Sequence, residues 1–310
     1  MQFINFEEGQ FINFLAFRRI AAIISTILIL AGIGSVTLHK GLKYGIDFRG
    51  GTNVQIQFTT QPNLDQLRKL FGEQGMKNVI LQTFGDLADK EILLGLPIDS
   101  PLGTGEHLTK ELGKILLTQH PEFEIRRIES IGPKVGDELK ISAVQAILIA
   151  LGLVLLYITI RFQWRQGVSA IIALVHDVLI IVGIFSILEK EFTLTVVAAL
   201  LTVVGYSLND TIVVFDRIRE NLGKYRKKSL EETINLSITE TLTRTLITSG
   251  TTLLVVLALF ILGGEIIHDF AFALLLGVLI GTYSSIYVAS PVALVLTKLV
   301  PVGGTSTAAS

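Results

Sequence analysis

The chain contains 310 residues, of which 50% are hydrophobic and only 17% are charged, and its mean hydropathy is +0.61. Soluble proteins carry about a quarter charged residues, so this composition indicates a membrane protein. The formal net charge of -1 excludes the basic excess of a nucleic-acid-binding protein, and the absence of cysteine excludes disulfides, thiolate metal sites and cysteine nucleophiles.

The chain begins with a segment, residues 1–15, that we expect to lie at the membrane interface. An apolar run at 16–38 follows, with the ~20 residues that a helix needs to cross a bilayer. This run is longer than the apolar core of a secretory signal peptide, and His39-Lys40-Gly41 does not resemble a cleavage site. We therefore predict an uncleaved membrane anchor.

Residues 39–138 form the stretch that can fold as a soluble domain. Apolar and polar residues alternate at 52–59 as in a half-buried strand, whereas the apolar residues at 64–71 recur at helical spacing. The same patterns predict four strands and two helices in all, at 52–59, 64–71, 79–84, 92–96, 108–117 and 123–131. Their order, β-α-β-β-α-β, is typical of the ferredoxin-like fold.

Five further apolar runs follow within residues 139–300, each near the length of a membrane span. They occupy 139–160, 166–188, 192–215, 242–262 and 267–289. Pro291 is expected to kink the last helix, and residues 301–310 form a short tail. The predicted fold class is an α-helical polytopic membrane protein with six transmembrane helices and a ferredoxin-like α+β domain between the first two.

The distribution of basic residues predicts how the spans are oriented. Arg161 and Arg165 lie in the loop between the second and third spans, and Lys and Arg crowd the loop between the fourth and fifth. On the other side, Lys190 is accompanied by two glutamates, and residues 263–269 contain no Lys or Arg. Because basic residues accumulate in cytoplasmic loops, both termini are predicted to be cytoplasmic and the soluble domain lies on the opposite side.

The sequence contains no motif typical of an enzyme. There is no G-x-x-x-x-G-K-[ST] loop to hold phosphates, no H-E-x-x-H zinc motif and no G-x-S-x-G nucleophile turn. We therefore expect neither catalysis nor a cofactor. The energy for any work must come from a gradient or from a partner.

Two charged residues inside the predicted spans are the main functional candidates. Asp210 lies in the fourth span, about 9–10 Å from its centre towards the cytoplasm, and Arg244 lies in the fifth, about 10–12 Å from its centre on the same side. Consecutive spans usually pack as neighbours, so the two charges are predicted to meet. Charges inside a membrane typically mark an ion pathway, and a static pair that fixes helix packing is the alternative.

Two further candidates accompany this pair. Thr248 lies four residues beyond Arg244 and belongs to a row of hydroxyls that either lines a water wire or bonds to backbone carbonyls. Asp177 lies near the centre of the third span without a nameable partner, because adjacent residues such as His176 do not face each other on a helix. A relay role and a structural role are both open for Asp177.

Several motifs together resemble the SecD/SecF family of the resistance-nodulation-division superfamily. Asp47-Phe48-Arg49-Gly50-Gly51 is similar to the family's D-F-x-G-G motif, and Gly132-Pro133-Lys134-Val135-Gly136 is similar to its G-P-x-V-G element. The run GYSLNDTIVVFDRIREN at 205–221, which includes Asn209 and Asp210, and the residues around Arg244 fit as well. The resemblance covers essentially the whole chain.

The resemblance implies a role in protein export at the bacterial inner membrane, with the soluble domain on the periplasmic side. Family members pair two six-span halves, so one half implies a SecD partner, beside the SecYEG translocon and with YajC as a further associate. The implied substrate is an unfolded preprotein, and no nucleic acid is implied. The family is thought to use the proton or sodium motive force, and by position Asp210 and Arg244 would form the ion relay.

Two functions of other classes stay open. One is a small-molecule exporter of the same superfamily, which would need a larger outer domain than residues 39–138 provide. The other is a purely structural subunit that stabilises its partner and carries no ions. In that case, neutral replacements of Asp210 and Arg244 together would leave export intact. Membrane lipid is an expected partner of the spans under every reading.

Overall fold

The computed structural model describes residues 10–76, 79–84, 89–98, 100–103, 105–117 and 122–299. Within these residues, six helical spans are long and apolar enough to cross a membrane, which confirms the predicted multi-pass helical architecture. They are α1 (Arg18–Leu38), α5 (Pro133–Arg161), α6 (Trp164–Ile187), α7 (Leu194–Lys224), α8 (Leu230–Leu262) and a last span made of α9 (Gly264–Ser284), a π-helical turn (Ser285–Ala289) and α10 (Ser290–Leu299). Residues 1–9 and the predicted tail at 301–310 lie outside the described residues.

The N-terminal residues that the structure describes dock on the bundle. A short 3-10 helix, Phe14–Phe17, precedes α1. Phe14 and Leu15 are buried in a hydrophobic cluster with side chains of α7, α8 and α10. The N–H of Leu15 also donates to Asn235 Oδ1 on α8, at 3.0 Å. This part of the predicted interfacial segment therefore packs on protein.

Two helices extend beyond the spans predicted from hydropathy. Helix α7 continues to Lys224 and α8 begins at Leu230, whereas the predicted spans end at 215 and begin at 242. The extension is a polar helical hairpin, which hydropathy does not reveal. A capping box between Ser229 and Glu232 starts α8 by satisfying backbone N–H groups of its first turn.

The last span is irregular where the sequence predicts a kink. A π-helical turn occupies Ser285–Ala289, and Pro291 follows it. Because proline has no N–H, it cannot complete the regular helical pattern. The hydroxyl of Ser290 donates to Ser285 O at 2.9 Å and occupies one carbonyl of the turn. The irregularity therefore takes the form of a wide turn just before the proline.

A sheet domain lies between α1 and α5, with its elements in the predicted order. They are β1 (Gly51–Phe58), α3 (Leu64–Glu73), β2 (Ile80–Phe84), β3 (Glu91–Leu96), α4 (Gly105–Leu117) and β4 (Phe123–Ile131), preceded by a short helix α2 (Ile46–Arg49). All strand pairs are antiparallel, and the strand order is β2-β3-β1-β4. The small antiparallel sheet is confirmed, while its assignment to the ferredoxin-like fold stays a prediction.

The two faces of this sheet have different environments. Alternate residues of each strand point to one face, where they pack against α3 and α4 in a core that includes Val54, Ile56, Leu94, Leu67 and Leu108. The opposite face carries polar side chains and looks towards the bundle. A cavity of about 360 Å³ lies there, lined by side chains of the sheet and of the loop before α7.

The sheet domain is held to the bundle by a clasp, which consists of residues 43–51, 132–136 and 191–194. The N–H of Gly45 donates to Phe192 O at 3.0 Å, and the N–H of Phe192 donates to Lys43 O at 2.8 Å. Tyr44 and Phe192 accordingly form an isolated parallel bridge. The chain leading into the sheet domain is thus bonded to the chain leading into α7.

Asp47 and Phe48 of the clasp bind the start of α7 directly. Asp47 Oδ2 accepts the N–H of Leu194, the first residue of α7, at 2.9 Å. That donor has no partner within its own helix, and a carboxylate also suits the positive end of the helix dipole. Phe48 is 2% exposed and stacks on Phe192 with ring centroids 6.2 Å apart.

Glycines allow the backbones of the clasp to approach one another. Gly50 and Gly51 have φ values of +73° and +141°, in the region that favours glycine. A Cβ atom at Gly51 would lie 2.5 Å from Leu96 O. One at Gly136 would lie 2.9 Å from Phe48 O. The two glycine motifs therefore pack against each other.

Gly132 and Pro133 fix the direction in which α5 leaves the sheet domain. Gly132 is the N-cap of α5 and Pro133 is its first residue. Proline suits this position because its φ is already helical and its missing N–H would have no helical partner. The turn of α5 that contains Gly136 follows at once and meets α2.

Replacing Gly136 by alanine is expected to destabilise the protein by about 1–3 kcal/mol, because the added methyl group overpacks the contact with Phe48 O. The matched control is Gly152→Ala in the same helix, where nothing lies within 4 Å of the added Cβ. That change is expected to be neutral or to stabilise α5 by up to about 1 kcal/mol. Thermal unfolding of the purified proteins in detergent measures the difference, and equal unfolding temperatures would contradict the close contact.

Glu191 is a largely buried carboxyl at the edge of the clasp. Its side chain is 16% exposed, and Lys43 Nζ lies 3.8 Å from Oε1. Burial raises the pKa of Glu191 above its ordinary value, since removal from water disfavours the charged form. The charge of Lys43 acts in the opposite direction, and Asp269 adds to the increase.

The raised pKa of Glu191 predicts a pH-dependent stability. The folded state favours the protonated carboxyl, so the contribution is fully present below the ordinary pKa of 4.5 and is lost as the pH rises through the raised value. Glu191→Gln is therefore expected to flatten the fall in unfolding temperature as the pH is raised above 4.5. The control is Glu189→Gln, at an exposed position of the same loop. Parallel curves for wild type and Glu191→Gln would contradict the prediction.

Candidate functional site

The bundle contains two buried polar networks, and the first surrounds Asp210. Asp210 lies on α7 and is 3% exposed. Ser249 of α8 donates its hydroxyl to Asp210 Oδ2 at 3.3 Å, and the same hydroxyl lies 2.8 Å from Thr282 Oγ1 of α9. A carboxylate inside a predicted span is thus met by hydroxyl groups and not by a cation. Such a site can bind a proton or a small cation.

The predicted contact between Asp210 and Arg244 is wrong in its geometry. The two charges are near enough to attract each other, but no ion pair within 4.0 Å joins these two described residues. The face of α8 that meets Asp210 carries Ser249, and Arg244 is exposed elsewhere on the helix. Five residues separate the two positions, which turns them about 140° apart at 3.6 residues per turn. The predicted depths of Asp210 and Arg244 in the membrane did not indicate how α8 is rotated about its own axis.

Arg244 instead lines a cleft of about 450 Å³ between α5, α7 and α8. Acidic and basic side chains share the cleft, including Arg161, Asp216, Arg217 and Glu240. Arg217 Nε donates to Glu240 Oε2 at 2.7 Å. The charged residues near the α7–α8 loop and Arg244 therefore line one continuous cleft.

The hydroxyl row that begins with Thr248 bonds to backbone carbonyls, which is the second of the two possibilities left open. Thr248 Oγ1 lies 3.0 Å from both Arg244 O and Thr245 O, and Thr252 Oγ1 donates to Thr248 O at 2.9 Å. These hydroxyls satisfy helix carbonyls within α8. They supply no side-chain partner for Asp210.

The second network surrounds Asp177, for which no partner could be named from the sequence, and the expectation that His176 does not face it is wrong. Asp177 is 1% exposed, and its Oδ2 accepts hydrogen bonds from Ser207 Oγ at 2.6 Å and Ser284 Oγ at 2.8 Å. Its Oδ1 lies 2.9 Å from Nδ1 of the adjacent His176. Helix α6 packs against α1, α7 and α9, so two adjacent positions on it can both face protein. The side chains of His176 and Asp177 turn towards each other across the helix surface.

The network continues from His176 to α1 and α9. His176 Nε2 lies 2.9 Å from Ser25 Oγ, which lies 3.1 Å from the hydroxyl of Tyr283. Tyr283 also donates to Ala21 O at 2.9 Å, and its ring stacks on His176 with centroids 6.1 Å apart. Sequence reasoning missed these partners, because Ser25, Tyr283 and Ser284 lie in apolar runs with no charged residue within five positions.

Glycines bring the helices of both networks together. A Cβ atom at Gly281 would lie 2.9 Å from Ser207 Cβ, and one at Gly277 would overlap Val203. On the other side of α6, a Cβ atom at Gly32 would lie 2.7 Å from Gly183 Cα. Small residues at such interfaces let helix backbones approach closely in a membrane. The short approach is what allows serine hydroxyls to reach the carboxylates.

The motif residues quoted from the sequence fall into two groups. Those of the two glycine motifs meet in the clasp: Asp47, Phe48, Gly50, Gly51, Gly132 and Pro133. Asn209 has no hydrogen bond to either network among the described residues, and it is exposed on α7 about 100° around the helix from the buried Asp210. It lies one turn from Ile212 and Val213, which line the cleft with Arg244.

The sequence is similar to those of known protein-export subunits. The family described as protein export membrane protein SecD/SecF, C-terminal, matches residues 111–299, and the SecD/SecF GG motif matches residues 36–62. The chain is 49% identical to protein translocase subunit SecF of Vibrio alginolyticus, over 92% of this chain and 90% of that protein. It is 47% identical to the subunit of the same name from Desulfurispirillum indicum, over 90% of each.

The fold agrees with these sequence relatives. The crystal structure of SecDF, a translocon-associated membrane protein from Thermus thermophilus, superimposes with a TM-score of 0.81 at 38% identity. A second structure of SecDF, in a super-membrane-facing form, gives a TM-score of 0.71. The match covers 95% of this chain but only 40% of the Thermus chain. On these similarities, which span almost the whole sequence, the chain belongs to the SecD/SecF family of protein-export membrane proteins.

Proposed function

We propose that this chain is the SecF-type subunit of the Sec protein-export machinery and couples the proton or sodium motive force to movement of an unfolded preprotein. The observation that carries the proposal is the buried Asp210 carboxylate, which lies in a helix that the clasp joins to the sheet domain. The relatives named protein translocase subunit SecF support the same role. The chain itself performs no covalent chemistry.

In this proposal Asp210 is the ion-binding group. An isolated carboxylate is costly to keep charged away from water, so it takes up a proton or a cation unless a positive charge meets it. Ser249 supplies only a neutral hydroxyl. Each elementary charge that crosses the membrane releases about 2.3 kcal/mol per 100 mV, which is the energy available for movement.

In the same proposal, a partner protein supplies the acidic group that pairs with Arg244. A guanidinium on the surface of a membrane span must be paired or must face water. Arg244 lines the cleft and is exposed, and Asn209 is exposed on α7 one turn before Ile212 and Val213, which line the same cleft. A SecD partner would cover this surface and supply the opposing acidic group. The greater length of the matched SecDF chain leaves room for such a second half within one protein.

The clasp is the link by which movement would reach the sheet domain. Asp47 binds the first residue of α7, and Asp210 lies sixteen residues further along the same helix, at about 24 Å. Protonation of Asp210 would change how α7 packs against α8 and α9. The sheet domain, on the periplasmic side, would follow α7 and approach or leave the emerging chain. SecYEG would supply the channel, and YajC is a further associate.

The membrane topology of the proposal follows from charge. Both termini and the basic α7–α8 hairpin would lie in the cytoplasm of a bacterial cell, with the chain in the inner membrane. The cleft that contains Arg244 would then open towards the cytoplasm. It would give ions a route between that side and the level of Asp210.

Asp210→Asn is expected to remove most of the gradient-stimulated export while leaving complex assembly intact. Preprotein movement is measured in vesicles that contain this chain, the SecD partner and the translocon, with a proton or a sodium gradient applied separately. Asp137→Asn is the control, since Asp137 is an exposed carboxylate at the other end of α5, outside the cleft. A full response in Asp210→Asn would reduce Asp210 to a packing role and favour the structural-subunit alternative.

The clasp is expected to move as one unit, and a disulfide can test this. A Cβ atom at Gly45 would lie 3.7 Å from Thr193 Cβ, within the range of about 3.5–4.5 Å that a disulfide needs. The chain has no other cysteine. Gly45→Cys combined with Thr193→Cys should therefore crosslink, and gradient-driven export should match that of the Gly45→Cys single variant. Export lost on oxidation and restored by a reductant would show instead that the clasp opens during the cycle.

A further inference from the structure

The network around His176 and Asp177 contains a titratable pair that the proposed mechanism does not use. We call this pair the dyad. Its partners come from three other helices: Ser25 on α1, Ser207 on α7, and Tyr283 with Ser284 on α9. Both members are almost fully buried, at 6% and 1% exposure. The number of hydrogens that the dyad holds can be counted from the bonds of these partners.

The hydrogen bonds of the Asp177 carboxylate require one hydrogen to lie between Asp177 and His176. Ser207 donates its single hydroxyl hydrogen to Asp177 Oδ2 at 2.6 Å, so that oxygen acts as an acceptor. One hydrogen must then lie between Asp177 Oδ1 and His176 Nδ1, which are 2.9 Å apart. This holds whether the hydrogen resides on the oxygen or on the nitrogen.

The hydrogen bond between His176 Nε2 and Ser25 determines the net charge of the dyad. Tyr283 donates its hydroxyl hydrogen to Ala21 O at 2.9 Å. Ser25 must then donate to Tyr283, and its oxygen is left to accept a hydrogen from His176 Nε2 at 2.9 Å. In this arrangement the dyad holds two hydrogens, and its net charge is zero.

A second arrangement has both hydroxyls rotated and one proton fewer in the dyad. If Tyr283 donates to Ser25, then Ser25 donates to His176 Nε2, which carries no hydrogen. The dyad then holds one hydrogen and has a net charge of -1. The first arrangement is favoured at rest, because a net charge enclosed among helices is more costly than a neutral pair.

We infer that His176 and Asp177 form a second proton-binding site, which holds two hydrogens and is neutral at rest, and which loses the Nε2 proton to hydroxide from bulk water as the pH rises. Once that proton has left, the hydroxyls of Ser25 and Tyr283 point the opposite way, so the change reaches both α1 and α9. The inference does not rest on the proposed export function, since a proton site can be measured without a client.

Other titratable groups near the dyad are few. Within the described residues of the helices packed against α6, they include Tyr283, Tyr287 beside it, Tyr206 next to Ser207 on α7, and Asp210 one turn beyond Ser207. The charged residues of α1, α5 and α10 lie towards the ends of those helices. Asp210 is acidic, so its own protonation would ease the loss of a proton from the dyad, and its charged form would hinder that loss.

The test is nitrogen NMR of the histidine ring in the full-length chain. Replacing the other four histidines (His39, His107, His120 and His268) by glutamine leaves one labelled ring, in vesicles of phosphatidylethanolamine and phosphatidylglycerol. We expect Nε2 to carry a hydrogen at pH 7 and to lose it as the pH is raised towards 10. An Nε2 that never carries the hydrogen between pH 5 and 10, or never loses it, overturns the inference.

Two variants test whether Ser25 accepts the hydrogen of His176 Nε2. Ser25→Ala removes the acceptor of the Nε2 hydrogen, so the pH at which that hydrogen is lost should fall by about one unit or more. Thr26→Ala is the matched control: its exposed hydroxyl, on the next residue of α1, donates only to Ala22 O. That variant should not move the titration. An unchanged midpoint in Ser25→Ala would overturn the assignment of Ser25 as the acceptor.

Discussion

A carboxylate removed from water must be met by hydrogen-bond donors, and in a membrane the donors must come from other helices. This constraint organises the centre of the bundle. Asp177 on α6 accepts hydrogen bonds from hydroxyls of α7 and α9, and its neighbour His176 bonds to a hydroxyl of α1. Asp210 accepts a hydrogen bond from a hydroxyl of α8, which is also bonded to α9. Five of the six spans are therefore connected by two acidic residues, with α5 as the exception.

Close packing and hydrogen bonding depend on each other here. A serine side chain is short, so it reaches a carboxylate on a neighbouring helix only if the backbones approach closely. Gly281 against Ser207 provides that approach beside Asp177, and Gly32 against Gly183 provides it between α1 and α6. The clasp repeats the principle outside the apolar spans, where Gly136 lets α5 touch α2. In each place the absence of a side chain fixes the position of a polar contact.

The sequence allowed the architecture to be predicted because hydropathy and strand alternation are local signals. The six spans and the order of the sheet elements were found from such patterns. The rotation of each helix about its axis was not predictable in the same way. Arg244 and Asp210 were placed at similar depths, yet α8 turns Ser249 towards Asp210. The partners of Asp177 were missed for a related reason, since they lie on α7 and α9, far from it in sequence.

Helix α7 is 31 residues long and unbroken, which gives it a length of about 46 Å, against about 30 Å for the hydrocarbon core of a bilayer. A rod of this length that pivots near its middle displaces its two ends in opposite directions. A tilt of about 5° would move each end by about 2 Å, and it would do so without unfolding any turn of the helix. One end is held by Asp47, and the other carries the polar hairpin with Asn221, which is buried against α8. Rigid-body tilting of a single helix would therefore let both faces of the membrane sense one event at its centre.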